Sequence, residues 1–168
     1  MSCRCSLLPS AVNFVAGMAY ISTFKSTRYI HPTATYMASE SGLTKVDALR
    51  AYARMMHHLS ADYLAPLLAD DFHYASQWVF EEIVSKQQYL DYIRPKLDAI
   101  KTSGNRVWAE LGELQSYPGG PCLVMAQGAK NNISATVLVE IVASKITRLD
   151  MCFVPSPQSA TRTGEYPE

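Results

Sequence analysis

The sequence predicts an α+β domain in which a cone-shaped, curved antiparallel sheet wraps around three N-terminal helices. Three observations support this class. Helical capping signals and helical apolar spacing dominate residues 44–104, whereas runs rich in aliphatic and β-branched side chains dominate residues 106–154. The chain also has 168 residues, of which 48% are hydrophobic, and this is enough for one domain with a sizeable core.

The helices are predicted from their capping residues. Capping boxes at Thr44 and Ser85 each precede apolar residues at helical spacing, and they predict the starts of a first and a third helix. The first helix should end near His58 and the third at Gly104. Between them, Ser60 can cap a short second helix.

The strands are predicted from β-branched and aromatic runs between turn signals. Residues 72–83 indicate a strand or a bent hairpin. Four further strands are predicted at residues 106–114, 122–129, 133–142 and 145–154. Because this sheet is too short to close, we expect it to curl around the helices and to leave a pocket on its concave face.

The charges of the chain are balanced. Fifteen basic and 15 acidic side chains give a formal net charge of zero, whereas a protein that binds duplex nucleic acid needs a clustered excess of Lys and Arg. The four cysteines do not make a disulfide framework, and the histidines do not show the spacing of a zinc site. We therefore expect no nucleic-acid partner, no metal and no cofactor.

The composition divides the chain into three segments. Residues 1–41 carry few charges and are predicted to be a poorly ordered leader, residues 42–154 form the folded domain, and residues 155–168 are predicted to be a disordered tail rich in Pro, Ser, Thr and Gly. Residues 4–19 have the basic start and apolar stretch of a secretion signal, but polar residues interrupt that stretch. A cytoplasmic location is therefore favoured over secretion, and no membrane span is expected.

Two short motifs resemble a known superfamily. The sequence Ala-Asp-Asp at 69–71 precedes an aromatic strand, and Lys-Ile at 145–146 follows a tight turn. In this order and spacing they resemble the nuclear transport factor two-like superfamily, which includes SnoaL-like polyketide cyclases, ketosteroid isomerases and limonene epoxide hydrolases. The resemblance covers about residues 44–154. It implies a cone-shaped α+β barrel with an apolar pocket inside, often dimeric through the outer face of its sheet.

The resemblance also implies roles for particular residues. Counted from 69–71, Tyr52 falls where ketosteroid isomerases place the tyrosine that stabilises a developing oxyanion. Ser76 stands in place of their general-base aspartate, and a serine hydroxyl cannot take a proton at neutral pH without a base of its own. Met151 stands where cyclases and epoxide hydrolases carry an aspartate, with Asp150 one residue early. Steroid isomerisation and epoxide hydrolysis thus both lack a carboxylate that they need.

Glu140 is the remaining carboxylate that could serve as a base. If residues 143–144 are a two-residue turn, Glu140 lies opposite Thr147 and shares the cone face. If the loop holds one residue more, Glu140 pairs with Arg148 on the outer face. The outer position is favoured, because the alternate apolar residues of 137–141 then form a continuous inner stripe.

Two functional hypotheses follow. In the first, the protein binds a small apolar ligand, carbonyl-bearing or cyclic, with isomerase- or cyclase-type proton transfer by Tyr52 and Glu140. The residues expected to line its pocket are Phe72, Tyr74, Ser76, Trp78, Leu149, Met151 and Phe153. In the alternative, the protein is non-catalytic, its own side chains fill the cone, and the outer sheet face serves a homodimer or a protein partner. An unfilled cone favours the first hypothesis and a filled cone favours the second.

Overall fold

The computed structural model of the chain describes residues 42–78, 81–116 and 119–168. The helices are α1 (Lys45–His58) and α2 (Lys86–Ser103), and the strands are β1 (Leu68–Ser76), β2 (Val107–Leu114), β3 (Gly120–Gln127), β4 (Ile133–Val142), β5 (Lys145–Cys152) and β6 (Ala160–Arg162). Short 3-10 turns lie at Ala61–Tyr63, Ala65–Leu67 and Pro157–Ser159. The predicted leader, and the alternative of a secretion signal within it, lie outside the described residues.

Both predicted helix starts are confirmed. The side-chain oxygen of Thr44 accepts a hydrogen bond from the Asp47 N–H at 3.1 Å, and that of Ser85 accepts one from the Gln88 N–H at 3.3 Å. These bonds satisfy donors that the first helical turn leaves without a partner. The predicted second helix is two consecutive 3-10 turns, since Pro66 lacks the N–H that an α-helical ladder needs.

The six strands form one curved, unclosed sheet in the order β1-β5-β4-β3-β2-β6. Four neighbouring pairs are antiparallel, and three of them join strands that were predicted, whereas the β2–β6 pair was not predicted. The β1–β5 pair is parallel, with Tyr74 opposite Leu149, so the sheet is mixed. A parallel pair needs a long crossover connection, and here α2 and three strands supply it.

The main core lies between the concave face of the sheet and the helices. Helix α1 packs against β2, β3 and β4, while α2 packs against β1. The largest side chains that are fully buried there are Leu49, Tyr52, Met55, Leu64, Leu68, Phe72, Tyr89, Leu97, Leu123, Ile146 and Leu149. Among the described residues, side chains from the helices and from the concave face of the sheet thus fill the interior of the cone.

The prediction of a disordered tail at 155–168 is wrong. Strand β6 pairs with the edge of β2, and its Ala160 covers a second apolar cluster with Leu114, Cys122 and Val124 on the outer face of the sheet. The polar composition of this segment suggested disorder because it offers little apolar surface to bury. The segment is ordered instead by hydrogen bonds to the edge of a sheet, and composition does not reveal such partners. We call residues 153–168 the C-terminal strap.

A buried carboxylate fixes the C-terminal strap. The Glu110 side chain accepts hydrogen bonds from the Arg162 guanidinium, from the Gly164 N–H at 2.8 Å and from the Tyr166 hydroxyl at 2.5 Å. Burial alone would raise the pKa of Glu110, but the bonds from Tyr166, Arg162 and Gly164 outweigh it and lower that pKa. The charged form of Glu110 therefore stabilises the strap.

A β-bulge next to the turn between β4 and β5 determines which face of the sheet carries Glu140. Ala143 and Ser144 form a two-residue turn with φ values of 48° and 59°, yet Glu140 pairs with Arg148 and not with Thr147. The extra residue lies in β5 itself, where a β-bulge shifts the register between Glu140 and Ile141. A one-residue shift turns the side chains that follow to the other face of the sheet.

Candidate functional site

Tyr52 is buried in the same core cluster as Tyr74 and Tyr89. It is 1% exposed, on the inner side of α1. The ring centroids of Tyr74 and Tyr89 are 5.1 Å apart, and those of Tyr74 and Tyr92 are 5.8 Å apart. Tyr89 also meets Phe72 at 5.0 Å in an edge-on contact. We call Tyr52, Tyr74, Tyr89 and Tyr92 the tyrosine cluster.

The surroundings of the tyrosine cluster keep its phenols neutral. Burial, and then the charges that Tyr74 and Tyr92 would carry, raise the pKa of Tyr52 well above its ordinary value. Burial likewise raises the pKa of Tyr89 and of Tyr74. Among the described residues, the groups that perturb Tyr52 are phenols and not carboxylates. The cluster can donate hydrogen bonds but holds no base for proton transfer.

Four of the predicted pocket residues come together, but as packed core. Phe72, Tyr74 and Leu149 are buried, and the Tyr74 hydroxyl lies 3.9 Å from the sulfur of the half-buried Met151. The fifth, Ser76, is also buried, and its hydroxyl accepts the Trp78 N–H at 3.2 Å. Ser76 therefore terminates β1 rather than orienting a ligand.

The placement of Trp78 and Phe153 in the pocket is wrong. Their side chains are 66% and 40% exposed, and their rings lie 5.3 Å apart outside the core. The alternation of strand faces stops before them, because β1 ends at Ser76 and β5 at Cys152. The Gln77 side-chain oxygen accepts the N–H groups of Phe153 and Val154 at 2.8 and 3.0 Å, and so joins the two strand ends.

The outer position that was favoured for Glu140 is confirmed, and the alternative of a base inside the cone is wrong. Glu140 is exposed and pairs with Arg148 on the outer face, whereas Tyr52 lies in the core. Arg148 itself forms ion pairs with Glu82 at 2.5 Å and with Asp150 at 2.9 Å. The two residues predicted to share the chemistry thus lie on opposite sides of the sheet, Tyr52 in α1 and Glu140 on the outer face.

A cavity among the described residues lies away from the tyrosine cluster. It has a volume of about 430 Å³ and opens between the C-terminal ends of α1 and α2, the start of β2 and the C-terminal strap. We call it the α1–α2 cavity. Its lining residues are Met56, His57, His58, Leu59, Ile100, Lys101, Gly104, Asn105, Arg106, Val107, Trp108, Tyr166 and Glu168.

His57 holds the wall of the α1–α2 cavity together. Its Nε2 accepts the Ala109 N–H at 2.9 Å, so its Nδ1 carries the proton and donates to the Pro167 carbonyl at 2.6 Å. One neutral imidazole thereby joins α1, β2 and the strap. Tyr166 and Glu168 lie in the segment that was predicted to be a disordered tail, so the sequence did not predict this cavity.

The rim of the α1–α2 cavity carries stacked cations. The Arg106 guanidinium lies 3.7 Å from the centre of the Trp108 ring, and the Lys130 ammonium lies 4.7 Å from that ring and 3.9 Å from the Tyr166 ring. Cation–π contacts of this kind hold long side chains against an aromatic face.

Two searches of the described part of the chain found no match. No group of three or more His, Cys, Asp or Glu side chains there is arranged to hold a metal ion. No helix of the described ranges is long and apolar enough to cross a membrane.

The comparisons with known proteins concern the fold. No protein-family model matches the chain, and no curated protein matches it. The chain is similar to a solved NTF2-like protein of unknown function from Cytophaga hutchinsonii, at 12% identity and a TM-score of 0.49, over 71% of this chain and 97% of that one. It is also similar to a SnoaL-like protein of unknown function from Burkholderia thailandensis, at 14% identity and a TM-score of 0.49, over 73% and 99%.

A third similar structure is a de novo designed protein with a curved β-sheet, at 14% identity and a TM-score of 0.48, over 69% of this chain and 95% of that one. At such identities and TM-scores the likeness carries no conclusion about activity. Of these three structures, the two natural ones are NTF2-like and SnoaL-like.

Proposed function

We propose that this protein is a non-catalytic module of the SnoaL-like type that forms a homodimer through the outer face of its sheet. The observation that carries the proposal is the filled cone. Tyr52, Phe72 and Tyr89 are fully buried in the space where a ligand would lie. A cone occupied by its own side chains favours a binding role for the outside of the sheet.

The chemistry of the interior supports a non-catalytic role. Tyr52 is the one family-like catalytic position that the sequence retains, and a phenol without a neighbouring base cannot drive proton transfer. Ser76 uses its hydroxyl to accept a backbone N–H, and Glu140 is exposed on the far side of the sheet. Fixed hydrogen bonds and dense packing are the properties of a structural core.

The part of the outer face that we propose for the dimer lies on β4 and β5. A groove of about 410 Å³ lies there, with Pro121, Leu138, Cys152 and Val154 among its apolar lining residues. Its charged lining residues are Lys45, Glu140 and Asp150, which include both signs. A two-fold symmetric interface brings one patch onto a copy of itself, so a face with both signs can match its own charges across the axis.

The homodimer can be tested by sedimentation over a range of protein concentrations. Leu138→Asp places a carboxylate in the groove, and we expect its dimer dissociation constant to rise at least about tenfold, because a buried unpaired charge is strongly unfavourable. The matched control is Val84→Asp, at an exposed position before α2, which should leave the constant unchanged. A wild-type chain that sediments as a monomer at every concentration contradicts the proposal.

The competing hypothesis of a small apolar ligand in the cone has its own test. A thermal-shift screen with apolar cyclic and carbonyl compounds should give no stabilisation, because side chains of the described residues are packed in the interior. A compound that raises the melting temperature of the wild type but not of Tyr52→Phe would favour ligand binding at the tyrosine cluster instead.

We also propose a cytoplasmic location. Cys122 and Cys152 are free thiols, and burial raises the pKa of Cys122 to about 11 and also raises that of Cys152. Unpaired, unreactive thiols are common in proteins of a reducing compartment. Secretion of the intact chain into the medium of expressing cells would contradict this location.

A further inference from the structure

The α1–α2 cavity has the composition of a small-molecule site, and we propose that it binds a small organic carboxylate with an apolar body. Its volume of about 430 Å³ lies within the range of about 300–1,000 Å³ that small-molecule sites occupy. It lies at the C-terminal ends of the two helices and is lined by none of the tyrosine cluster. The site is therefore separate from the interior of the cone.

The apolar part of the ligand would lie against one wall of the cavity. That wall consists of Met56 and Leu59 from the end of α1, Ile100 from α2 and Val107 from β2. These side chains also pack against the main core, which fixes their positions. An alkyl or aryl group placed there removes apolar surface from water on both partners.

The carboxylate would bind Arg106 and Lys101. Both side chains line the cavity and are exposed, and neither has a hydrogen-bond or ion-pair partner among the described residues. The stack on Trp108 holds the guanidinium plane of Arg106, so that the N–H groups at its edge stay available to an anion. A guanidinium edge pairs with a carboxylate through two parallel hydrogen bonds, and an ordered guanidinium loses less entropy when it does so.

Negative charges also lie near the cavity, and they oppose the binding of a carboxylate. The Glu168 carboxylate is the one acidic side chain among the described lining residues, and it opposes a bound anion. Helices α1 and α2 also end at the cavity, where their dipoles are negative. Anion binding there thus depends on Lys101 and Arg106, and removal of the Glu168 charge should strengthen it.

The proposal can be tested by calorimetry with hexanoate on the full chain, with hexanamide as its uncharged counterpart. Hexanoate should bind and hexanamide should bind at least about tenfold more weakly, because a charge-assisted bond is lost. Arg106→Gln and Lys101→Gln should each weaken the binding of hexanoate about tenfold. The control is Arg94→Gln, at an exposed position of α2 outside this cavity, and it should leave hexanoate binding unchanged. Glu168→Gln should tighten binding.

A spectroscopic measurement locates the bound molecule independently of any loss of stability in these variants. The chain has two tryptophans, and Trp78→Phe leaves Trp108 as the only indole. Hexanoate should then shift the Trp108 fluorescence and its indole N–H resonance, while inorganic phosphate at equal ionic strength should shift them less. Equal binding of hexanoate and hexanamide, an equal loss in Arg94→Gln, weaker binding in Glu168→Gln or an unchanged Trp108 signal would each overturn the proposal.

Discussion

The two faces of the sheet bury their apolar residues in different ways. On the inner face, large side chains such as Phe72 and Leu123 pack in one core with helix side chains such as Tyr89. On the outer face, a small cluster around Cys122 and Val124 is covered by the C-terminal strap, which is held by polar contacts. The inner face therefore depends on packing and the outer face on hydrogen bonds to charged groups, and these two kinds of stabilisation respond differently to pH and to mutation.

The largest expected effect tests the packing of the inner face. Phe72→Ala should lower the free energy of unfolding by about 3–5 kcal/mol, because it removes a fully buried ring and leaves a cavity. Urea titration followed by circular dichroism measures this change. The control is Tyr63→Ala at an exposed aromatic position, for which we expect a change within about 0.5 kcal/mol. Similar effects of the two substitutions would contradict a densely packed inner face.

A smaller effect, dependent on pH, tests the outer face. Glu110→Gln should lower the free energy of unfolding by about 1–3 kcal/mol at pH 7, because the bonds from Arg162 and Tyr166 lose their charge assistance. In Glu110→Gln, the backbone amides of the strap should exchange hydrogen faster than in the wild type, whereas those of α2 should exchange at the wild-type rate. Glu113→Gln, an exposed carboxylate on the same strand, is the matched control and should change little.

The pH dependence of the Glu110→Gln effect has a definite sign. The pKa of Glu110 is lowered in the folded chain, so its stabilisation is complete above the ordinary glutamate pKa of about 4.3 and is lost as pH falls through the lower folded value. The difference between wild type and Glu110→Gln should therefore be constant from about pH 7 to pH 5 and should shrink below about pH 4. A difference that grows on acidification would contradict this role.

The smallest effect compares the same substitution, Tyr to Phe, on the two sides of the sheet. Tyr89→Phe removes a buried hydroxyl that has no hydrogen-bond partner among the described residues, so we expect no loss of stability, or a gain of up to about 1 kcal/mol. Tyr166→Phe removes the bond to Glu110 and should cost about 1 kcal/mol. Thermal melting of the two variants beside the wild type measures the contrast, and an equal loss in both would contradict it.

Features that depend on neighbouring residues could be predicted from the sequence. Thr44 and Ser85 cap helices through bonds to residues three positions later, and this spacing is visible in the chain itself. The alternate positions of Phe72, Tyr74 and Ser76 likewise predicted that their side chains lie on one face, because successive residues of a strand point to opposite faces.

Features that depend on distant partners could not be predicted. The outer facing of Glu140 was favoured from the apolar stripe of 137–141, but the bulge in β5 that reconciles this facing with a two-residue turn was not predicted. The strap is ordered by Glu110, more than fifty positions before Tyr166. Composition reports how much apolar surface a segment can bury, but it does not report a carboxylate or a strand edge elsewhere in the fold.

The two hydrogen bonds of His57 have a further consequence. A peptide group presents one acceptor and one donor pointing in opposite directions, and the neutral imidazole of His57 presents the same pair to Ala109 and Pro167. The His57 side chain thus bridges β2 and the C-terminal strap through the same pair of bonds that a peptide group would make. Because this substitute belongs to α1, fraying of the last helical turn and detachment of the terminal residues should occur as one cooperative event.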